Sequence, residues 1–301
     1  MRVKVILNPY ANRWKALKRR PEAEQALQVA GLDYDFEVTA GPGHGIEVAR
    51  RAARQGFDAI VAAGGDSTYN EIANGLCEAY PNQPVPVAFG LLPMGTANDL
   101  ADNLGIPKDL GAAAQLIAAG QTRPMDLLRA NERYFLNNSA VGMESAVTVI
   151  QSEMTKVHGV LRYLLAAMVA IYRNQQWRMH LQWNGGEYHG LVTLVSIGNN
   201  PRTGGIFYTV PHADPFDGKL SFVYGSIPTR RGILRTMPKL MKPAEGNYTE
   251  HPQVHEVHSD WLKIHTEPAT PYHTDGEILA RAIQEIHYRV YPHWLPVLLP
   301  A

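Results

Sequence analysis

A single cysteine, Cys77, stands in a chain of 301 residues. One thiol excludes an internal disulfide framework and a multi-thiolate metal site, and it fits a reducing compartment. Net charge is missing too: 28 Lys and Arg balance 28 Asp and Glu, with 12 His beside them. Without a basic footprint, nucleic acid is excluded as a partner. Long apolar runs are also absent, since the longest, YLLAAMVAIY at 163–172, has about half of the ~20 residues that a spanning helix needs. The opening MRVKVILNPY turns polar too soon for a signal peptide and reads as a strand ending at Asn8-Pro9. A cytoplasmic protein is expected. No G-x-x-x-x-G-K-[ST] occurs and no G-x-G-x-x-G follows a strand, which excludes a P-loop and weakens a dinucleotide fold.

What is present alternates. Strands are predicted at 3–7, 35–39, 59–63 and 86–92, with helices at 15–30, 45–55, 69–79 and 110–119. That order implies a mostly parallel sheet with helices on both faces, and VKVIL, AIVAA and VAFGLL suit strands buried on both sides. Beyond Met125-Asp126 the pattern becomes strand-rich: 133–140, 178–183, 188–198, 219–224, 261–266 and 283–290, with helical segments at 156–174 and 229–241. Gly-containing turns such as WNGGEY and DPFDGKL join many of these strands. The expected fold is therefore an α/β domain at 1–128 followed by a β-rich domain at 129–291, linked near 125–131. The closing 292–301, with WLPVLLP, could return to the first domain.

Two loops carry chemistry. VAAGGDSTYNEIANGL ends an apolar strand at Gly64-Gly65 and opens a helix, which brings free backbone N–H groups and the positive end of a helix dipole together. Phosphate oxygens could approach the glycines closely, Ser67 and Thr68 could donate hydroxyls, and Asp66 could hold magnesium. A glycine turn with an Asp or Ser helix cap accounts for this stretch equally well. LLPMGTANDLA repeats the design, with Gly95 and Thr96 at the turn and Asp99 at a helix start. Two such loops on parallel strands open at the same carboxyl edge of a sheet, where ligands of open α/β folds sit. A third element, HTDGEIL, is by itself an ordinary Asp-Gly turn. If the two domains face each other, Asp275 could accept a proton from a substrate hydroxyl.

GGDSTYNEIANGL, PMGTANDLA, MDLL and TDGE, in this order and spacing, resemble the diacylglycerol kinase catalytic domain family, which includes bacterial lipid kinases and sphingosine kinases. The resemblance runs nearly end to end, through the opening NP, NNSAVGMESAV, LRYLLAAMVAI, HADPFDGKL and VYPHWLPVLLP. It implies an NAD kinase-like nucleotide-binding domain, a β-sandwich domain, and ATP and Mg2+ as cofactors. ATP would lie against Asn8, Gly64, Gly65, Asp66, Ser67, Thr68, Gly95 and Thr96, with Asn70 near its phosphates. Asp66, Asp99 and Asp126 would surround the catalytic magnesium. Asp275 would be the general base, supported by Glu277. A structural magnesium would sit at Asp217, with the carbonyls of Asp214 and Lys219. The resemblance implies a lipid acceptor taken from a membrane surface by a peripheral protein, with a homodimer left open. Two departures stand out: Ser67 where the family usually has glycine, and Tyr10-Ala11-Asn12-Arg13 where a small residue and glycine often follow NP. If position 67 needs positive φ, serine would cost roughly 1 kcal/mol or more, leaving a nucleotide- or lipid-binding regulator as a rival. A kinase of a soluble acceptor is the other rival.

Three further features have ordinary readings. NRWKALKRR could offer Arg13 and Lys15 to phosphates, or its basic side chains to an anionic membrane, or be a solvated helix end. The stripe Leu161, Leu164, Leu165, Met168, Val169 and Tyr172 has helical spacing and is expected to pack in the core, with acyl-chain entry as its functional alternative. His251, His255 and His258 and the thiol of Cys77 are expected to be structural.

Overall fold

A computed structural model describes residues 1–154, 157 and 159–300, apart from side chains at 159–160. The chain divides into two units, Met1–Leu127 with Tyr291–Ala301, and Leu128–Val290.

The first unit contains β1 (Arg2–Leu7), α1 (Lys15–Lys18), α2 (Arg20–Val29), β2 (Asp33–Val38), α3 (His44–Ala52), β3 (Ala59–Gly64), α4 (Asp66–Ala79), β4 (Ala88–Pro93), α5 (Asp99–Asn103) and α6 (Leu110–Ala119). The strands pair in parallel in the order β2-β1-β3-β4. Val297 adds parallel to Phe89 at the far side of β4. Every residue of β3 is buried, as unbroken apolar runs in a sheet covered on both faces require. The covering layers are α2 with α6 and α3 with α4. Leu27, Leu110, Ala114 and Ile117 pack on Val5, Leu7 and Val61 to form one side of the core. The chain leaves β1 toward β2 but resumes with β3 on the other flank of β1. The order therefore reverses between β1 and β3, and the carboxyl ends of those strands form the crevice where such folds bind ligands.

The second unit begins in β5 (Thr122–Ala130) and continues with β6 (Arg133–Phe135), β7 (Asn138–Gly142), α7 (Met143–Glu153), α8 (Gly159–Arg173), β8 (Trp177–Trp183), β9 (Gly186–Val192), β10 (Leu194–Gly198), β11 (Leu220–Gly225), α9 (Arg230–Thr236), β12 (Val254–Ser259), β13 (Trp261–Thr274) and β14 (Glu277–Leu298). Its antiparallel ladder runs β12-β11-β10-β7-β13-β14. One half of β13 pairs with β7 and the other with β8, beyond which lies β9. Inward-facing Trp177, Phe135, Phe222, Ile286 and Tyr288 fill the core.

The structure corrects several sequence expectations. The stretch at 188–198 is two strands, β9 and β10, that meet at Thr193; β5, β12 and the helix α7 were not foreseen. The helix expected from Lys156 starts outside the described residues. Its stripe is turned the other way: Leu161, Leu164, Leu165, Met168 and Tyr172 are exposed, whereas Ala166, Ala167, Ala170 and Ile171 are buried. Small residues win the inner face because α8 packs closely on α7, with Ala166, Ala167 and Ala170 meeting Val147 and Ile150. Among the described residues, no helix is long and apolar enough to cross a membrane.

Leu164→Ser and Met168→Ser, both on the outward face, are expected to leave unfolding free energy within about 0.5 kcal/mol of wild type. Ala170→Leu should overpack the α7–α8 seam and cost about 1–3 kcal/mol. Urea denaturation of the three variants checks this.

Candidate active site

At the carboxyl ends of β3 and β4 two backbones touch. Met94 N–H donates to Gly64 O at 2.8 Å, and a Cβ placed on Gly95 would lie 2.4 Å from Gly65 Cα. No side chain fits at Gly95, and a Cβ on Gly65 would lie 3.0 Å from Gly95 Cα, so the contact between the loops requires glycine at position 95 and favours it at position 65. Asn98 locks the second loop. It takes a left-handed conformation at φ 57°, which asparagine tolerates better than most residues. Its Oδ1 accepts from Gly95 N–H at 3.0 Å and lies 3.3 Å from the Tyr69 hydroxyl. That hydroxyl donates to Gly64 O at 3.0 Å.

Asp66 ties the pair together. Its Oδ1 accepts from Leu100 N–H at 3.0 Å, and the backbone N–H groups of Asn98 and Asp99 also bond its carboxylate. These are orphan donors at the start of α5, so Asp66 caps a helix it does not belong to. Burial lifts its pKa above the ordinary carboxylate value, and the backbone donors oppose that rise. Asp99 is buried in the first turn of α5. Asp126, wholly buried, accepts from His293 N–H at 2.7 Å and so anchors the returning C-terminal segment.

Around these loops, Asn8 Nδ2 donates to Thr68 Oγ1 at 3.1 Å and Asn8 N–H to Ala63 O at 3.0 Å, joining the ends of β1 and β3. Asn70 lies inside α4, bonded to Asn74. Thr96 is exposed, and its hydroxyl lies 3.4 Å from Asn12 Oδ1. Ser67 is exposed in the first turn of α4 and is not among the residues with positive φ. The strain that serine was expected to carry there is absent, because the position is already helical. The strain lies elsewhere: Asn12, Arg13 and Trp14 are all left-handed, at φ 49°, 54° and 68°, where glycine would sit without cost. Arg13 and Lys15 are exposed, while Arg19 and Arg20 pair with Glu22 and Glu24 at 2.8 Å. Two participants gave no signal in the sequence reading. Asn98 was hidden inside the second motif, and Glu71 holds the loop after β2 through Gly43 and Gly45 N–H at 2.9 and 3.0 Å.

In the second unit, Asp275 occupies the turn between β13 and β14 at φ 47°. Its carboxylate accepts from the N–H groups of Leu136, Asn137 and Asn138 at 2.9, 2.9 and 3.0 Å, and its own N–H donates to Asn138 O at 2.7 Å. Glu277 pairs with Arg133 at 3.2 Å rather than with Asp275. Asp214 and Asp217 each accept from a backbone N–H two residues on, and the Lys219 ammonium pairs with Asp260 at 2.6 Å. Among the described residues, no three His, Cys, Asp or Glu side chains form a group that could hold a metal. Asp66, Asp99 and Asp126 thus form no such group among the described residues, and backbone donors engage Asp66 and Asp126 separately. His258 bonds Ser221, His255 lies against the Tyr224 ring, and burial pushes the Cys77 thiol up to about 12.

The diacylglycerol kinase catalytic domain family matches residues 2–130, and the YegS C-terminal NAD kinase beta sandwich-like domain family matches 138–299. The chain is similar to a diacylglycerol kinase of Staphylococcus aureus (strain MRSA252), with 28% identity over 92% of this chain and 86% of that one. It also superposes on the crystal structure of a diacylglycerol kinase from Bacillus anthracis str. Sterne with a TM-score of 0.74 at 22% identity, covering 99% and 97% of the two chains. A second solved structure from the same organism gives 0.80.

Asp66→Ala should orphan the donors at the start of α5 and cost about 1–3 kcal/mol with neither nucleotide nor magnesium present. Thermal unfolding of the ligand-free protein separates this capping role from a role in ligand binding. Gly95→Ala should also lower the melting temperature.

Proposed function

We propose, on the premise that the chain belongs to the diacylglycerol kinase family defined by those two domains, that it is a kinase that moves the γ-phosphoryl group of ATP to the hydroxyl of a lipid, most simply diacylglycerol. The observation that carries this reading is the seam of Gly65 against Gly95 at the carboxyl ends of β3 and β4, next to the β1/β3 reversal. Backbone N–H groups and hydroxyls from two loops meet where an open α/β sheet takes a phosphate-bearing ligand. The start of α4 would receive the phosphates, with the exposed Ser67 hydroxyl and Thr96 as side-chain donors.

The residues fit a magnesium ion of the kind that keeps waters and phosphates and takes only one or two carboxylates. Asp66, partly exposed at the mouth of its loop, would hold it, with buried Asp99 and Asp126 acting through water. When bound, the ion would balance the charge on the β- and γ-phosphates. Asp275 would accept the proton of the acceptor hydroxyl, and Arg133 would keep Glu277 in place beside it. The structural-magnesium role of Asp217, with Asp214 and Lys219, belongs to the same proposal.

For the acceptor, the outward stripe of α8 supports a lipid source. Leu161, Met168 and Tyr172 are 59%, 50% and 74% exposed, which is an apolar face that a membrane surface could cover. The helical backbone at Ser67 carries none of the positive-φ strain that would favour a non-catalytic regulator.

Transfer of labelled γ-phosphate from ATP with magnesium to lipids in mixed vesicles tests the reading. A labelled lipid should form, and Asp275→Ala should reduce its formation by about 10²- to 10⁴-fold. No labelled lipid from the wild-type protein, despite nucleotide binding, would sink it.

A further inference from the structure

Behind the Asp275 turn lies an acid that the proposed chemistry leaves unused. Glu144, in the first turn of α7, has a side chain only 12% exposed. Its Oε1 accepts from Asn138 Nδ2 at 3.3 Å, and its Oε2 accepts from the hydroxyl of Ser196. Asn138 is the hub of this arrangement. Its N–H donates to Asp275 Oδ1, its carbonyl accepts from Asp275 N–H, and its side-chain Oδ1 accepts from Thr203 at 3.1 Å. The strand that cradles Asp275, β7, therefore reaches Glu144 through Asn138, and the strand that leads into Asp275, β13, approaches it through His273. The His273 ring lies 3.9 Å from Oε1, is 3% exposed, and has no hydrogen-bond partner at either nitrogen among the described residues.

We propose that Glu144 is a positioning residue for Asp275, acting through Asn138; this rests on the reading of Asp275 as the base. Both contacts of Glu144 come from donors, Ser196 O–H and Asn138 N–H, an arrangement made for an ionised carboxylate. A protonated Glu144 donates its own proton, most simply by reversing the Ser196 contact, and Asn138 then donates to a neutral, weaker acceptor instead of a carboxylate.

Burial raises the pKa of Glu144 to about 7, so the change falls inside the working range. Burial moves His273 the other way, to about 4, which leaves the imidazole neutral and unable to balance the new charge. The other titratable groups that feel Glu144 are the hydroxyls of Tyr163, Tyr248 and Tyr288, all of which burial holds in the neutral form. Among the described residues, ionised Glu144 thus depends on Ser196 and Asn138. Stability should carry the opposite sign. The folded carboxyl keeps its proton up to about 7, whereas an unfolded one releases it near 4.5. Folding stability therefore falls as pH rises across that window and levels off above it.

The test compares wild type, Glu144→Gln and Glu144→Ala in the lipid phosphorylation assay from about pH 5.5 to about 8.5, a range that brackets the raised pKa of Glu144. It is run beside amide hydrogen exchange at Asn137, Asn138 and Asp275. Wild-type kcat should rise through an inflection near 7. Glu144→Gln should lose the inflection and stay at the low-pH rate, with KM for ATP unchanged. Glu144→Ala should lower kcat and speed exchange at the three amides by about tenfold, the size of one coupled hydrogen-bond contact. An inflection that survives in Glu144→Gln, or exchange that is unchanged in Glu144→Ala, would overturn the proposal. So would a melting-temperature loss with kcat per folded molecule intact. A wild type that phosphorylates no lipid would instead defeat the kinase reading, and the exchange data alone would then show whether Glu144 holds the turn.

Discussion

Everything at the candidate nucleotide site depends on one approach of backbone to backbone, Gly65 against Gly95. A single added carbon at Gly95 would meet a neighbouring Cα at 2.4 Å. Because the contact leaves no room for side chains, the polar work passes to the residues around it. Asn98 and Tyr69 bond the glycine carbonyls and amides, and Asp66 takes the free donors of α5. The loops are held rigid before any ligand arrives, which is what a site that must position phosphates requires.

The second unit solves a related problem by other means. Asp275 sits in a left-handed turn where its carboxylate is cradled by three successive N–H groups. That cradle exists because β13 and β7 pair in register from Tyr272–Val141 to Thr274–Ser139, which brings the turn to the start of β7. The acid's orientation is therefore a property of the sheet, and Glu144, from the helix that follows β7, supports it from behind.

Much of the first unit was legible because its signals are local. Apolar runs such as AIVAA mark strands buried on both faces, and Gly64-Gly65 and Gly95 mark the ends of two of them. Roles of the acids were less legible. An aspartate at a helix start reads as a ligand or as a cap of its own helix, and nothing near Asp66 in sequence shows that it caps α5, more than thirty residues on. The α8 stripe misled for a related reason. Periodicity reports that one face is apolar but not which face is buried, and the alanines that allow close packing on α7 carry little hydropathy signal. The strand β5 escaped because Thr122, Arg123 and Pro124 open it on an exposed edge. The strain at Asn12, Arg13 and Trp14 could be suspected only where a resemblance indicated glycine.

The first unit is not continuous in the chain, since Tyr291–Ala301 completes it after the whole of the second has been made. During synthesis, residues 1–127 can emerge and collapse, yet β4 lacks the neighbour that Val297 supplies, Val85 lacks Trp294, and Asp126 lacks His293. An exposed strand edge, and Asp126 without its His293 contact, would persist until Tyr291–Ala301 have emerged. A chain that stalls before Tyr291 would present an adhesive sheet edge, and loss of Tyr291–Ala301 alone would leave the first unit, not the second, unfinished.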